Sequence, residues 1–508
     1  MIDTSITQGI VFFLYIALMV GMGFVFYSRS KSHSDYILGG RGMNVWVTAL
    51  SAQASDMSGW LLIGLPGLAY ATTLGATEAI WTAIGLAIGT YINWLIVAKP
   101  LRKYTEIAGN SLTIPEFLQN RFHDKTNLLR IIPAIFILIF FLIYTASGFV
   151  SGAKLFNLVF HIPYTTALII SVLVIVAYTF LGGFKAVCWT DLFQGIMMFF
   201  AVIIVPIVMI TRLNTNVGFS MSEIPKINLF PDGSANAFGW MSIIGAIAWG
   251  LGYFGQPHIL VRFMAIRSPK EVRPARIIAM IWVLFSLAAA VAVGFFGKPY
   301  LASIGMPLAE GAQETVFMVL VSHIFPTVIA AVLLSAILAA IMSTADSQLL
   351  VTASAVSGDF YKTFVNKKAD DKELVWVSRI TVVIVAIIAG LFAADPNSSV
   401  FEIVSHAWAG FGAAFGPIIL CSLFWKRCNG KGAIAGVISG GTVALLWAYL
   451  PNIMGWFGVT SLPGIFSLYE IVPGFLVSLI AIFTVSLATK APEDSIIKEF
   501  ESVKTVNL

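Results

Sequence analysis

A carboxylate, three hydroxyls and an amide are gathered where a membrane-spanning segment would have its middle. Ser51, Gln53, Ser55, Asp56 and Ser58 lie in an apolar run from about Val45 to Tyr70, with Gly59, Gly64, Pro66 and Gly67 just beyond. A charged Asp at that depth costs at least ~2.5 kcal/mol, so it is kept where it meets a cavity, an ion or a partner. Ser, Asp and Gly also favour non-helical backbone, so the pattern predicts a break at about Ser55–Gly59. Backbone groups freed inside a membrane need partners, and a bound cation with a small solute would supply them. The plainer alternative is Asp56 buried against a neighbouring helix as structural glue.

One other span is interrupted in the same way. Ala248-Trp249-Gly250-Leu251-Gly252-Tyr253-Phe254-Gly255-Gln256-Pro257-His258 puts glycines and a proline at mid-membrane. Its G-x-G-x-x-G spacing is no dinucleotide fingerprint, because no strand precedes it and no βαβ unit surrounds it. A third polar cluster, Ser335 and then Ser343, Thr344, Asp346 and Ser347, sits in an otherwise apolar helix. Ser343, Asp346 and Ser347 share one face by their spacing. Hard cations such as Na⁺ take oxygen ligands, so these hydroxyls could join carbonyls freed at a break. Equally, Ser and Thr could bond back to the preceding turn or pack helix to helix.

The elements that must position these residues are transmembrane helices. Apolar residues make up 58% of the 508-residue chain, charged residues 11%, and the mean hydropathy is +0.90. Runs of about 20 apolar residues give thirteen spans, centred near residues 16, 57, 88, 142, 172, 200, 250, 286, 338, 384, 411, 440 and 476. Met1 to Ser5 carry no basic residue, so the first run is expected to stay as a span. With that count, 26 of the 30 Lys and Arg fall on one side and only Lys154, Arg212, Lys226 and Lys298 on the other. Such asymmetry places the amino terminus outside and the carboxyl terminus in the cytoplasm. It also accounts for the net charge of +5 without a nucleic-acid partner. The six His and the three cysteines (Cys188, Cys421 and Cys428) form no metal-ligand spacing.

The two interrupted spans are five apart, and an odd number inverts a repeat relative to its copy. The expected architecture is therefore an all-α polytopic membrane protein with inverted repeats at about 44–213 and 237–426. Peripheral helices would lie at about 6–27, 430–450 and 465–489. Paired interruptions in inverted halves mark the binding site of secondary transporters.

Four motifs, Ser51 to Gly67, Trp249 to His258, Leu334 to Leu350 and Ala407 to Gly412, resemble in order and spacing the solute:sodium symporter family. The resemblance runs from about Asp35 to Pro492. Within the family the motifs are most similar to bacterial members that carry L-proline. It implies a leucine-transporter-like fold of five plus five helices, one helix before and two after, in the bacterial cytoplasmic membrane. It implies Na⁺ as the co-transported ion, L-proline as the solute and no organic cofactor. The shared sodium site would use the carbonyls of Ala54, Met57 and Ala340 and the hydroxyls of Ser343 and Thr344, with Asp56 supporting sodium coupling. Ser58 and Gly59 would meet the substrate, Tyr144, Trp249 and Tyr253 would enclose its ring, and Gln256 and Pro257 would shape the second break. A further site for a cation or a proton would involve Asp191, Asp346 and Ser347. Asp346 departs from the family there, a carboxylate in place of a hydroxyl, and Asp191 could instead cap its own helix. The rival readings are symport of another small solute (an amino acid, vitamin, sugar or sialic acid) and, in other classes, an ion channel or a membrane sensor.

Overall fold

The computed structural model describes residues 4–27, 33–71, 73–181, 183–215, 227–231, 233–458 and 464–505. Arg29, Lys31 and Lys226 of the charge count, like the first three residues, lie outside the described residues. Helices follow one another along the chain: α1 Thr4–Tyr27, α2 His33–Leu38, α3 Val45–Asp56, α4 Leu65–Ala71, α5 Thr73–Ile92, α6 Ala98–Ile107 and α7 Ile114–Arg121. Next come α8 Leu128–Phe160, α9 Tyr164–Leu181, α10 Phe184–Thr215, α11 Ala237–Ala248, α12 Pro257–Ala265 and α13 Val272–Ser303. The remainder are α14 Val316–Ile324, α15 Thr327–Ser354, α16 Asp371–Phe392, α17 Val400–Phe424, α18 Gly430–Trp456, α19 Ile471–Ala488 and α20 Asp494–Thr505.

Among the described residues, eleven helical segments are long and apolar enough to cross a membrane. The expectation of thirteen exceeds this by two, and each difference has a local cause. The second expected span is cut before Trp60, leaving the short apolar helix Trp60–Ala71, and Tyr164–Phe180 is apolar but short.

The first break follows the sequence closely. Asn44 caps α3 by accepting a hydrogen bond from the Val47 amide. The helix ends at Asp56, where Met57 turns out of helical geometry (φ −82°, ψ 75°). A π-helical turn, Trp60–Gly64, then restarts the segment. At the second break α11 gives way to a 3₁₀ stretch, Trp249–Gly255. Gln256 is extended there, and Pro257 opens α12, a position where its missing N–H costs nothing. One β-type bridge, Met43 with Ile266, ties the chain just before α3 to the end of α12.

Helix α15 forms the axis of the core. It is buried almost continuously from Ala330 to Ser354 and packs against α1, α8 and α10, its polar cluster included. Elsewhere the α5 backbone approaches closely that of α11 and of the 3₁₀ stretch after it. A Cβ on Gly85 would lie 2.7 Å from Ile247 Cα, and one on Gly89 2.7 Å from the Gly250 carbonyl carbon. Beyond α2, Gly39, Gly40 and Arg41 all have positive φ (62°, 63° and 52°). That turn is held by Arg41, whose guanidinium donates to Asn110 Oδ1, Thr105 Oγ1 and the carbonyls of Met264 and Ser111.

Candidate functional site

Where α3 stops, its last carbonyls have no helical donor, and three side chains from other helices turn toward them. Ser343 and Thr344 on α15 both donate to the Ala54 carbonyl, at 2.8 and 3.2 Å. Ser343 Oγ also lies 3.3 Å from the Ala340 carbonyl. Four of the five expected cation ligands are thereby gathered at one spot. The fifth, Met57, is buried at the break with its amide bonded to the Gln53 carbonyl, and among the described residues no hydrogen bond reaches its carbonyl from the cluster. The Asp56 carbonyl accepts from Tyr144 on α8 and from the Trp60 indole, each at 3.1 Å.

The Asp56 side chain points the other way, to the second break. Tyr253 donates its hydroxyl to Asp56 Oδ2 at 2.7 Å, while Oδ1 has no protein partner. Both residues are buried. Tyr253, expected as part of a substrate wall, is therefore also the link between the two breaks. Its carbonyl is held by Asn93 Nδ2 at 2.9 Å and its ring meets Trp408 edge-on at 5.0 Å.

Ser58 and Gly59 are buried at the first break. Gly59 has helical dihedrals (φ −50°, ψ −25°), so its lack of a side chain matters for space. A Cβ there would sit 2.8 Å from Ser151 Cβ on α8. Gln256 donates to the Trp408 carbonyl at 3.2 Å, leaving its oxygen unpaired, and Pro257 starts α12.

Trp249 belongs to an aromatic stack. Its ring lies 5.0 Å from Phe401, 5.3 Å from Tyr469, 6.3 Å from Trp60 and 6.4 Å from Trp408. On its outer side the stack borders a cavity of about 290 Å³, whose polar rim includes Glu78, His406 and Glu470. His406 Nδ1 and Glu470 Oε1 are 2.6 Å apart. A crevice of about 10 Å³ lies along Thr113, Pro257, Val261 and Asp359. Rings thus stand between the breaks and the 290 Å³ cavity.

The residues expected at a further cation or proton site do come together, around a group that the sequence reading had counted elsewhere. Arg262, taken as one of the charges on a membrane face, is buried in α12. Its guanidinium reaches Asp191 Oδ2 at 3.2 Å, Ser51 Oγ at 3.1 Å and the His258 carbonyl at 2.8 Å, and donates to Ser347 Oγ. Ser51 also donates to Asp191 at 2.7 Å. Asp346 neighbours Ser347, and Asp191 Oδ1 and Asp346 Oδ2 have no hydrogen-bond partner among the described residues. A lone Arg inside Ile259-Leu260-Val261-Arg262-Phe263-Met264 was the available signal, of the same kind as Asp56. His258, one turn before it, is buried with both ring nitrogens unpaired and stands between Phe141 and Tyr144.

Similarity to known proteins bears on the family and the fold. The model of the sodium:solute symporter family matches residues 36–440. The high-affinity proline transporter PutP of Bacillus subtilis is 48% identical over 486 residues, covering 95% of this chain and 98% of that one. The sodium/proline symporter of Escherichia coli is 46% identical over 495 residues, covering 97% and 95%. Among solved structures, a substrate-bound, outward-open Na⁺-coupled sialic acid symporter aligns at a TM-score of 0.73 and 19% identity, over 96% of this chain and 99% of that one. The nucleobase-cation-symport-1 transporter Mhp1 aligns at 0.53 and 13%, over 93% and 98%. These two likenesses concern the fold, a polytopic helical transporter fold of the leucine-transporter kind. A family match over residues 36–440 and near-half identity along almost the whole length make this multi-pass membrane protein a member of the sodium:solute symporter family.

Proposed function

We propose that the chain imports L-proline together with Na⁺ by alternating access. The observation that carries this is the 48% and 46% identity, over nearly the full length, to two proline transporters. The site chemistry supports it. The Ala54 carbonyl and the hydroxyls of Ser343 and Thr344 already converge. An arriving Na⁺ would take the same oxygens as ligands in exchange for those hydrogen bonds, with Ala340 and Met57 adding carbonyls. Asp56 stands two residues from Ala54 of that cluster and holds Tyr253 of the other break. Loading of the ion and ordering of the second break are thereby linked. Ser58 and Gly59 would turn their amides to the proline carboxylate, that of Ser58 exchanging its 3.0 Å bond to the Asp56 carbonyl. Tyr144, Trp249 and Tyr253 would close on the pyrrolidine ring, and Gln256 and Pro257 would shape the far wall. Asp191, Asp346 and Ser347 would form a further polar site. Arg262 supplies its positive charge in this conformation, and a proton or second cation is the alternative occupant.

In the finer architecture, the proposal keeps thirteen spans, counting the broken α3–α4 segment and the short α9. Inverted repeats would cover about 44–213 and 237–426, with peripheral helices at about 6–27, 430–450 and 465–489. The amino terminus would lie outside and the carboxyl terminus in the cytoplasm of a bacterial inner membrane. The charge asymmetry supports this orientation, with Arg262 set aside. One Na⁺ per zwitterionic proline moves one charge inward, worth about 2.3 kcal/mol per 100 mV. A tenfold sodium gradient adds about 1.4 kcal/mol. Together they sustain accumulation of several hundred-fold without ATP. The test is uptake of labelled proline into proteoliposomes under an imposed sodium gradient, with other amino acids, vitamins, sugars and sialic acid as competitors. Sodium-driven uptake that unlabelled proline alone abolishes is expected, and uptake displaced better by another solute overturns the choice of substrate.

A further inference from the structure

Away from the transport path, an open cleft of about 520 Å³ lies between the start of α3 and the first turns of α13. Its walls are Val45, Trp46, Pro274, Ile277 and Ile278, and Asn44 and Arg267 stand among its lining residues. Trp46 and Ile277 are more than half exposed, at 61% and 53%. In a multi-pass membrane protein such side chains face lipid, and an exposed Trp beside a basic cluster is characteristic of the depth where chains meet headgroups.

The charge beside these walls is one-sided. Arg267–Arg276 carries Arg267, Lys270, Arg273 and Arg276 against the single acid Glu271. Glu271 pairs with Arg267 through one oxygen, Lys270 and Arg273 are exposed, and Arg276 lies over the Tyr91 ring. Two helix amino termini, α3 at Val45 and α13 at Val272, open at this same place and add partial positive charge. A soluble anion would use the cations and leave the apolar walls bare, and a neutral lipid would use the walls and leave the cations. We infer that this cleft binds an anionic glycerophospholipid, its phosphate at Arg267 and Arg273 and its acyl chains along Trp46 and Ile277. The position matters because the Met43–Ile266 bridge joins the two broken helices beside it, with Arg267 N donating to the Met43 carbonyl at 2.9 Å.

The test uses purified full-length protein and native mass spectrometry with phosphatidylglycerol or phosphatidylcholine added in turn. One phosphatidylglycerol should be held about tenfold more tightly than phosphatidylcholine or better, since each Lys or Arg near an anionic surface contributes roughly fivefold. Arg267→Gln with Arg273→Gln should remove that preference, whereas Lys367→Gln with Lys368→Gln, which deletes two exposed charges elsewhere, should keep it. Arg273→Gln alone, a change at an exposed position, should cost about fivefold and carries the test if the double variant does not accumulate. Equal affinity for the two lipids, or an equal loss in the two double variants, overturns the assignment.

Discussion

Gly59→Ala isolates what the first break requires. The backbone there is helical, so alanine is compatible with it and would by itself gain about 0.5–1 kcal/mol. Space is the obstacle. The new Cβ would sit 2.8 Å from Ser151 Cβ and closer still to its Oγ, where carbon atoms ordinarily pack at about 3.5–4.0 Å. Rotating the Ser151 hydroxyl away leaves the carbon clash, so α8 and the break must separate. Overpacking of this kind costs about 1–3 kcal/mol. Setting the helix gain against it leaves about 0.5–2 kcal/mol, or roughly 2- to 30-fold in affinity. The loss should fall on the half-saturation constant for proline in proteoliposome uptake, because Ser58 and Gly59 are the proposed substrate contacts. Ser151→Gly removes the clashing atoms and forfeits only a hydrogen bond to Ser147 in its own helix. Added to Gly59→Ala, it should restore uptake. Wild-type affinity in Gly59→Ala, or no recovery in the double variant, would refute the account of the break.

Tyr253→Phe deletes the hydroxyl bonded to the Asp56 carboxylate and should weaken sodium and proline together by about 1.5–3 kcal/mol, the range for a hydrogen bond to a charged group. A loss confined to proline, measured by separate sodium and proline titrations, would return Tyr253 to a simple wall. Asp191→Asn strands the buried guanidinium of Arg262 and should lower the melting temperature of the solubilised protein, with a cost of about 3–5 kcal/mol. Adding Arg262→Gln should recover part of that loss, and strictly additive losses would show that the pair is not coupled. Asp346→Ser should leave the sodium Hill coefficient near one, and a rise toward two would mean that the carboxylate had been excluding a second ion.

Both helix breaks were legible in the sequence because their causes are local. Asp56 and Gly59, and then the glycines before Pro257, state their backbone preferences within one turn. Ser343 and Thr344 were legible as a pair on one helix, and their aim at Ala54 followed once the family was known. Arg262 was not legible. It lies near loop charges and was counted with them, although the apolar residues around it are those of a buried helix. Its partners Ser51, Asp191 and Ser347 come from three distant segments, which no local pattern connects. Tyr253 was found for its ring, while its hydroxyl found Asp56 across 197 positions of chain. The count of spans differs for a related reason. A fixed window of apolar residues merges a broken segment into one span and stretches Tyr164–Phe180 to full length.

The glycine seam between α5 and α11 bears on how the fold moves. Side chains that interlock must climb out of one set of holes and into another when helices shift, and each intermediate position leaves voids. At Gly85, Gly89 and Gly250 bare backbone faces bare backbone, so a displacement along the seam meets few such ridges. Such a joint would act as a plain bearing does, with sliding cheap along its length. Asn93 sits one turn beyond Gly89 and donates to the Tyr253 carbonyl, which ties the second break to α5 at one end. Shear along this seam would give the second break a way to move against its neighbour without repacking the core.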